Sequence, residues 1–282
     1  IPAVGKMVIT EEGTGTWCGW CVRGAVYMDF MHHKYDKYWT GIAVHNGDPM
    51  TVVEYDSGIG AFIGGYPSAI VDRGTDVDPS GMSPDFFTRL QIPPVATLIN
   101  GATWDPTSRI LNVSVKADFA LAANSSYKLA CVLTEDDVTG TGSGYNQSNA
   151  YAGGGNGVMG GFELLPSSVP AAQMVYDHVA RAIAPSFTGE ANSFPATVLA
   201  GQSHTLNISF TLPATWDENS INIIGLLLDP QGRIDNAGKA TIAEAVANGY
   251  VAGLSTIYGE NLDTLAAYAN RIGKLVSKIQ GA

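Results

Sequence analysis

The sequence predicts an α+β fold in two parts. An α/β domain with a parallel or mixed sheet comes first, an antiparallel β-sandwich follows, and a helical segment closes the chain. Three observations predict this. Residues 1–91 alternate strand and helix patterns in the order β-α-β-α-β and then a third helix. From Val95 onward, six segments read as strands between Pro- and Gly-marked turns. Near the end, Leu262, Leu265, Ala269, Ile272, Val276 and Ile279 follow a 3-4-3-4-3 spacing, which is one face of a helix.

Each element has a local cause. Lys6 to Glu12 reads as a short strand, and Gly13 to Trp17 as a turn. From Cys18 to about Tyr35 the pattern is helical, with Cys21, Ala25, Met28 and Met31 near a 3.6 period. Thr40 to His45 is β-branched and apolar, a second strand. Asn46-Gly47-Asp48-Pro49 is a strong turn signal before a helix over Met50 to Ala61. Tyr66-Pro67 leads into a strand at Ser68 to Asp72. Ser83 to Gln91 reads as a third helix, capped by Ser83 with Pro84 at its first position. Ile92-Pro93-Pro94 breaks it and predicts a domain boundary, dividing 1–92 from a sandwich over 93–238. A helical segment is predicted over 239–282. The sandwich strands are Val95 to Thr103, Arg109 to Phe119, Ser126 to Thr134, Met174 to Ile183, Ser203 to Leu212 and Ile221 to Asp229. A long loop, residues 135–162, holds nine glycines and reads as an ordered crossover or as a binding element. The last helix docks on its own protein or forms a dimer seam over 262–279.

Composition narrows the function classes. The chain has 282 residues and a formal charge of 15 − 26 = −11, so a basic stripe for nucleic acid is absent. Only 15% of residues are charged, where about 25% is usual, and Gly is 33/282. That balance leans toward an exported, β-rich protein. No run reaches the ~18 apolar residues of a membrane-spanning helix. Ile1-Pro2-Ala3 has no basic start and no long apolar core, so it reads as a mature or trimmed chain whose targeting segment, and any lipid anchor on it, has been removed.

The chemistry centres on Thr16-Trp17-Cys18-Gly19-Trp20-Cys21. A CxxC after a strand and at the start of a helix is a redox signature. Cys18 at a helix N-terminus would have its thiolate favoured and act as the attacking thiol. Cys21 would resolve the mixed disulfide. Pro67 precedes a strand where a thioredoxin fold carries a cis proline facing the CxxC. Strand, CxxC, helix and Pro67 together look like a thioredoxin-like domain. There Tyr66 would present backbone groups to a bound chain, with Trp17 and Trp20 supplying apolar contact. The Gly-Trp between the cysteines departs from the Gly-Pro of thioredoxin, so no redox potential carries over. Two blander readings stand beside this one: a permanent disulfide that closes a turn, and a retained CxxC without turnover.

Other candidates carry less. His45 ends the second strand and either tunes Cys18 or is a turn histidine. Cys131 in Leu129 to Leu133 reads as a buried, inert thiol. Asp76-Val77-Asp78-Pro79-Ser80-Gly81 begins like a calcium loop but has Phe87 where the bidentate Glu belongs. No second CxxC and no His pair at ligand spacing supports zinc. No metal and no cofactor is expected.

Several stretches together resemble one family: TGTWCGWC (Thr14 to Cys21), HNGDPM (His45 to Met50), GGYPSAIVDR (Gly64 to Arg73), LTEDDVTGTGSGYNQ (Leu133 to Gln147) and MVYDHVARAI (Met174 to Ile183). They are similar to the outer-membrane-protein-28-related family of Bacteroidetes over roughly residues 5–245. The resemblance implies an exported protein, often an outer-membrane lipoprotein, with a thioredoxin-like and a β-rich domain. It implies a place in the outer membrane or periplasm, and partners that are protein thiols or disulfides, or another envelope protein. The rival expectation is a non-enzymatic binding or scaffold lipoprotein with a structural disulfide.

Overall fold

The computed structural model describes residues 1–257. The predicted seam over 262–279 lies outside the described residues. The first half comprises β1 (Val8–Thr14), α1 (Val22–Tyr35), β2 (Trp39–His45), α2 (Val53–Ile59), β3 (Ser68–Val71), the two-residue β4 (Asp76–Val77) and α3 (Ser83–Leu90). Then follow β5 (Ala96–Asp105), β6 (Ile110–Phe119), β7 (Lys128–Glu135), β8 (Gln147–Ser148), β9 (Ser168–Val169) and β10 (Val179–Ala184). The chain continues through β11 (Ser203–Thr211), β12 (Ile221–Leu228), β13 (Ile234–Thr241), α4 (Ile242–Asn248) and β14 (Leu254–Ile257).

These strands form a mixed α+β architecture around one large sheet. Its order is β13-β12-β7-β10-β2-β1-β3-β4, so it takes strands from both sides of the predicted boundary at 92/93. β1 pairs parallel with β2 and antiparallel with β3, and β3 antiparallel with β4. A second sheet, β14-β11-β6-β5, lies against the β7, β12 and β13 end. The join in the large sheet is narrow: Val179 of β10 pairs with Ala43 of β2, and the Ala43 N–H donates to the His178 carbonyl at 2.7 Å.

Alternation explains why the middles of the central strands are apolar on both faces. In β7, Leu129, Cys131 and Leu133 face the second sheet, while Ala130 and Val132 face a core shared with Ile9, Ile42, Tyr55 and Ile59. β12 divides in the same way, with Ile221, Ile223 and Leu227 against the second sheet and Ile224, Leu226 and Leu228 in the shared core. A strand covered on both faces reads as a near-continuous apolar run, with polar residues left to its ends. On the other face of β1, Val8 packs with Met28 and Met31 of α1 and Phe86 and Leu90 of α3. A buried network ties the two halves at their ends. Lys6 Nζ pairs with Asp72 at 2.7 Å and donates to the Asp235 carbonyl at 2.6 Å, and Arg89 Nε donates to Asp72 at 2.8 Å.

Several expectations need correction. The sandwich is not purely antiparallel, because β14 runs parallel to β11 and β10 parallel to β2. α1 begins at Val22 rather than Cys18. α2 begins at Val53 because Asp48 accepts from the Met50 N–H and donates its own N–H to Thr51 Oγ1, holding 48–51 in a turn. Ser83 is the first residue of α3 and does not cap it. Met174 to His178 is not strand; His178 has φ 57° and β10 starts after it. The C-terminal part is not helical throughout. α4, started by a Thr241–Glu244 capping box, ends at Asn248, and residues 254–257 add a strand.

Candidate functional site

The site is built on the turn between β1 and α1. The Cys18 N–H donates to the Gly15 carbonyl at 3.0 Å, and the Cys21 N–H donates to the Cys18 carbonyl at 3.2 Å. Cys18 and Cys21 are disulfide-bonded, with their Cα atoms 5.3 Å apart. Cys21 is the cap of α1, so the bridge sits in the turn that leads into the helix, not within it. Both cysteines are buried, Cys18 at 4% exposure and Cys21 at 2%.

The glycine-rich loop provides the cover. The Ser148 N–H donates to the Thr16 carbonyl at 2.7 Å, and the Ala150 N–H to the Gly19 carbonyl at 2.8 Å. Gln147 Nε2 donates to the Cys18 carbonyl at 3.0 Å, and Thr16 Oγ1 to the Gly144 carbonyl at 2.9 Å. The strap is held by its own small core, in which Met50, Val138, Val169, Met174 and Tyr176 pack with Tyr145 and Phe162. β8 and β9 pair within it, and the buried Asn149 side chain donates to the Phe162 and Pro166 carbonyls. The loop is therefore an ordered crossover, and it is seated on the CxxC turn.

The structure gathers the other predicted residues around this turn, in different roles. Trp17 is half exposed; its Nε1 donates to the Asn46 carbonyl at 2.7 Å and its ring meets Tyr66 edge-on at 5.4 Å. Trp20 is also half exposed, but one side is taken by Tyr151 at 5.5 Å. The Tyr66–Pro67 bond is cis, Pro67 is buried and Tyr66 half-buried. His45 is buried, with Nδ1 2.6 Å from Asp48 Oδ2, the same oxygen that accepts the Thr16 N–H. His45 is thus held by Asp48 of the turn, and it lines a cavity of about 250 Å³ together with Cys21. Cys131 is free and fully buried, and burial pushes its thiol up, far from reactivity. Among the described residues, no group of three His, Cys, Asp or Glu side chains could hold a metal ion.

Sequence reasoning passed over Glu12. Alternation on β1 sends Glu11 and Glu12 to opposite faces. Glu11 is fully paired: Tyr55 donates to it at 2.6 Å and the Arg73 guanidinium at 3.0 Å. Glu12 faces α1, is fully buried, and has an Oε1 with no hydrogen-bond partner. It lines the same cavity as Cys21 and His45. Burial raises its pKa from 4.5 to about 8, opposed by a hydrogen bond with Thr14. The room for it comes from Gly24, where a Cβ would collide with the Glu12 carboxyl. The available signal was a carboxylate in a strand that must be buried, six residues before the first cysteine.

Comparison with known proteins fits this architecture. The family described as Outer membrane protein Omp28 matches residues 55–246. No curated protein sequence matches the chain. Among solved structures, HBP35 of Porphyromonas gingivalis is similar with a TM-score of 0.60 at 14% identity, over 93% of this chain and 80% of that one. A protein of Agrobacterium tumefaciens has a TM-score of 0.48 at 16% identity, over 86% of this chain and 96% of that one.

Proposed function

Because the chain belongs to the Omp28 family of outer membrane proteins, we propose that it is a cell-envelope protein, in the outer membrane or periplasm, that exchanges disulfides through a shielded CxxC. The strand order β2-β1-β3-β4, with the CxxC turn between β1 and α1, supports the thioredoxin-like reading of residues 1–92. Among the described residues no helix is long and apolar enough to cross a membrane.

The observation that carries the reading is Glu12. A buried carboxyl with one oxygen left without a partner costs on the order of a few kcal/mol, and a bridge that only closes a turn has no use for one. Perturbed acids of this kind gather at working sites. In the proposed step, a partner thiolate attacks Cys18 Sγ. The Cys18–Cys21 bond breaks, and the Cys21 thiolate leaves and takes a proton from Glu12. A second partner thiol loses its proton to water, and its thiolate attacks the partner sulfur of the mixed disulfide and releases the Cys18 thiolate. The partner ends oxidised by two electrons, and the CxxC ends reduced.

A second reading has its own support. Cys18 lies under residues 147–151, and a covered sulfur is closed to a protein thiol while the strap stays in place. That favours a scaffold or binding lipoprotein with a structural bridge. One pair of measurements separates the two. Exchange predicts a Cys18–Cys21 potential above about −300 mV and mixed disulfides accumulating on Cys18 in a Cys21→Ser variant in envelope extracts. A potential below about −300 mV, with no insulin reduction and no trapped partner, would leave only the structural bridge.

A further inference from the structure

The cavity beside Cys21 has the chemistry of a ligand site. It holds about 250 Å³. A buried apolar void of about 150 Å³ already accepts benzene, so this one takes a compact molecule of roughly a dozen non-hydrogen atoms. Val22, Val26, Met28, Phe162 and Met174 give it apolar walls. Its charged lining is of one sign: Asp29 and Asp177 at exposed positions, with the buried acid Glu12 beside them and no Lys or Arg.

The histidines do not neutralise that sign. His45 is engaged with Asp48 at 2.6 Å, and desolvation holds His178 below its ordinary value. Tyr176 and Phe162 add aromatic faces, which attract cations. One further observation singles the site out. The Glu12 carboxyl is fully buried, faces α1 and has an oxygen without a partner. Buried polar groups in folded proteins nearly always have partners, so a hydrogen-bond donor brought into the cavity that Glu12 lines would be favoured.

We infer that this cavity binds a small primary amine with a compact apolar body, its ammonium paired with Glu12 and its body between α1 and the strap. The pairing gives the Glu12 carboxyl a donor beyond Thr14 and places the apolar part against Val22, Val26 and Met174. This role is separate from thiol exchange, since it uses the oxidised protein and moves no electrons.

The test is calorimetric titration of the full-length oxidised protein, without thiols, using benzylamine, benzyl alcohol and benzoate as probes of one size and three charges. Benzylamine is expected to saturate, with the alcohol and the acid weaker by roughly tenfold or more, because losing one partner of a buried charge pair is costly. Glu12→Gln is expected to lose a similar factor for benzylamine. Ala25→Trp, at an exposed position of α1 that lines the opening, is expected to block all binding while leaving circular dichroism unchanged. The inference is overturned if benzylamine does not saturate, if benzyl alcohol binds as tightly, or if a folded Ala25→Trp still binds. Failure of these titrations leaves the redox measurements untouched, and the reverse holds too.

Discussion

Two adjacent glutamates show how much a single position can decide. Glu11 and Glu12 look alike in the sequence, yet one carries a tyrosine and an arginine and the other has an orphan oxygen. The consequence is a pH effect of definite sign. The pKa of Glu12 is raised from 4.5 to about 8 by burial, so the folded state binds its proton more tightly than the unfolded chain. Its favourable share of stability is complete below about pH 4.5 and is lost as pH rises through about 8. Replacing Glu12 by Gln should therefore change little at pH 4, and should stabilise the protein by roughly 3–5 kcal/mol at pH 9. Urea melts of both proteins across that range check it. At this scale the sequence was partly legible. Cys18, Cys21, His45 and Pro67 announce themselves by motif and turn. Glu12 does not, because the burial that makes it unusual depends on which face of β1 meets α1.

Helix α1 is shaped by that carboxyl. A glycine inside an α-helix costs about 1 kcal/mol relative to alanine, so Gly24→Ala would ordinarily stabilise. Here the new methyl would occupy the space of the Glu12 carboxyl. Gly24→Ala should destabilise the native background by on the order of 1–3 kcal/mol, read as a lower midpoint of thermal unfolding. In a Glu12→Ala background the same change should be neutral or stabilising, and a double-mutant cycle reads the coupling. The elements legible in the sequence were those whose residues carry their own period. β6 and β11 alternate, and β12 is an apolar run broken only at Asn222 and Gly225. β13 was not seen, because Ile234 to Thr241 has few apolar residues and is held as an edge by β12. β14 was hidden inside a segment read as helix; it exists because β11 offers it an edge.

For the whole molecule, the proline pair at 93–94 suggested two parts, and the chain does change sheets there. The core nevertheless crosses it: Ile9, Ile42 and Ile59 pack in one cluster with Val132, Ile224 and Leu226. Lys6 and Arg89 pair with Asp72 while donating to carbonyls of β13. Unfolding should therefore be one transition, with coincident midpoints by tryptophan fluorescence and circular dichroism. An isolated fragment of residues 1–92 should stay unfolded in water, since half of that cluster would face solvent; two separated transitions would contradict this. Long-range pairing of this kind leaves no periodic mark, so the β10–β2 join was invisible in the sequence. The strap over the disulfide is also a long-range feature, and it sets the terms for any partner. Residues 147–150 hold the Thr16, Cys18 and Gly19 carbonyls as part of the same chain, at the millimolar or higher effective concentration of a tethered segment. A protein seeking those carbonyls competes with an occupant that never diffuses away, and its apparent affinity falls by the fraction of time the strap is open. That factor is the same for every partner, so the strap sets how strongly the site can be engaged at all, while discrimination between partners stays with how well each one fits.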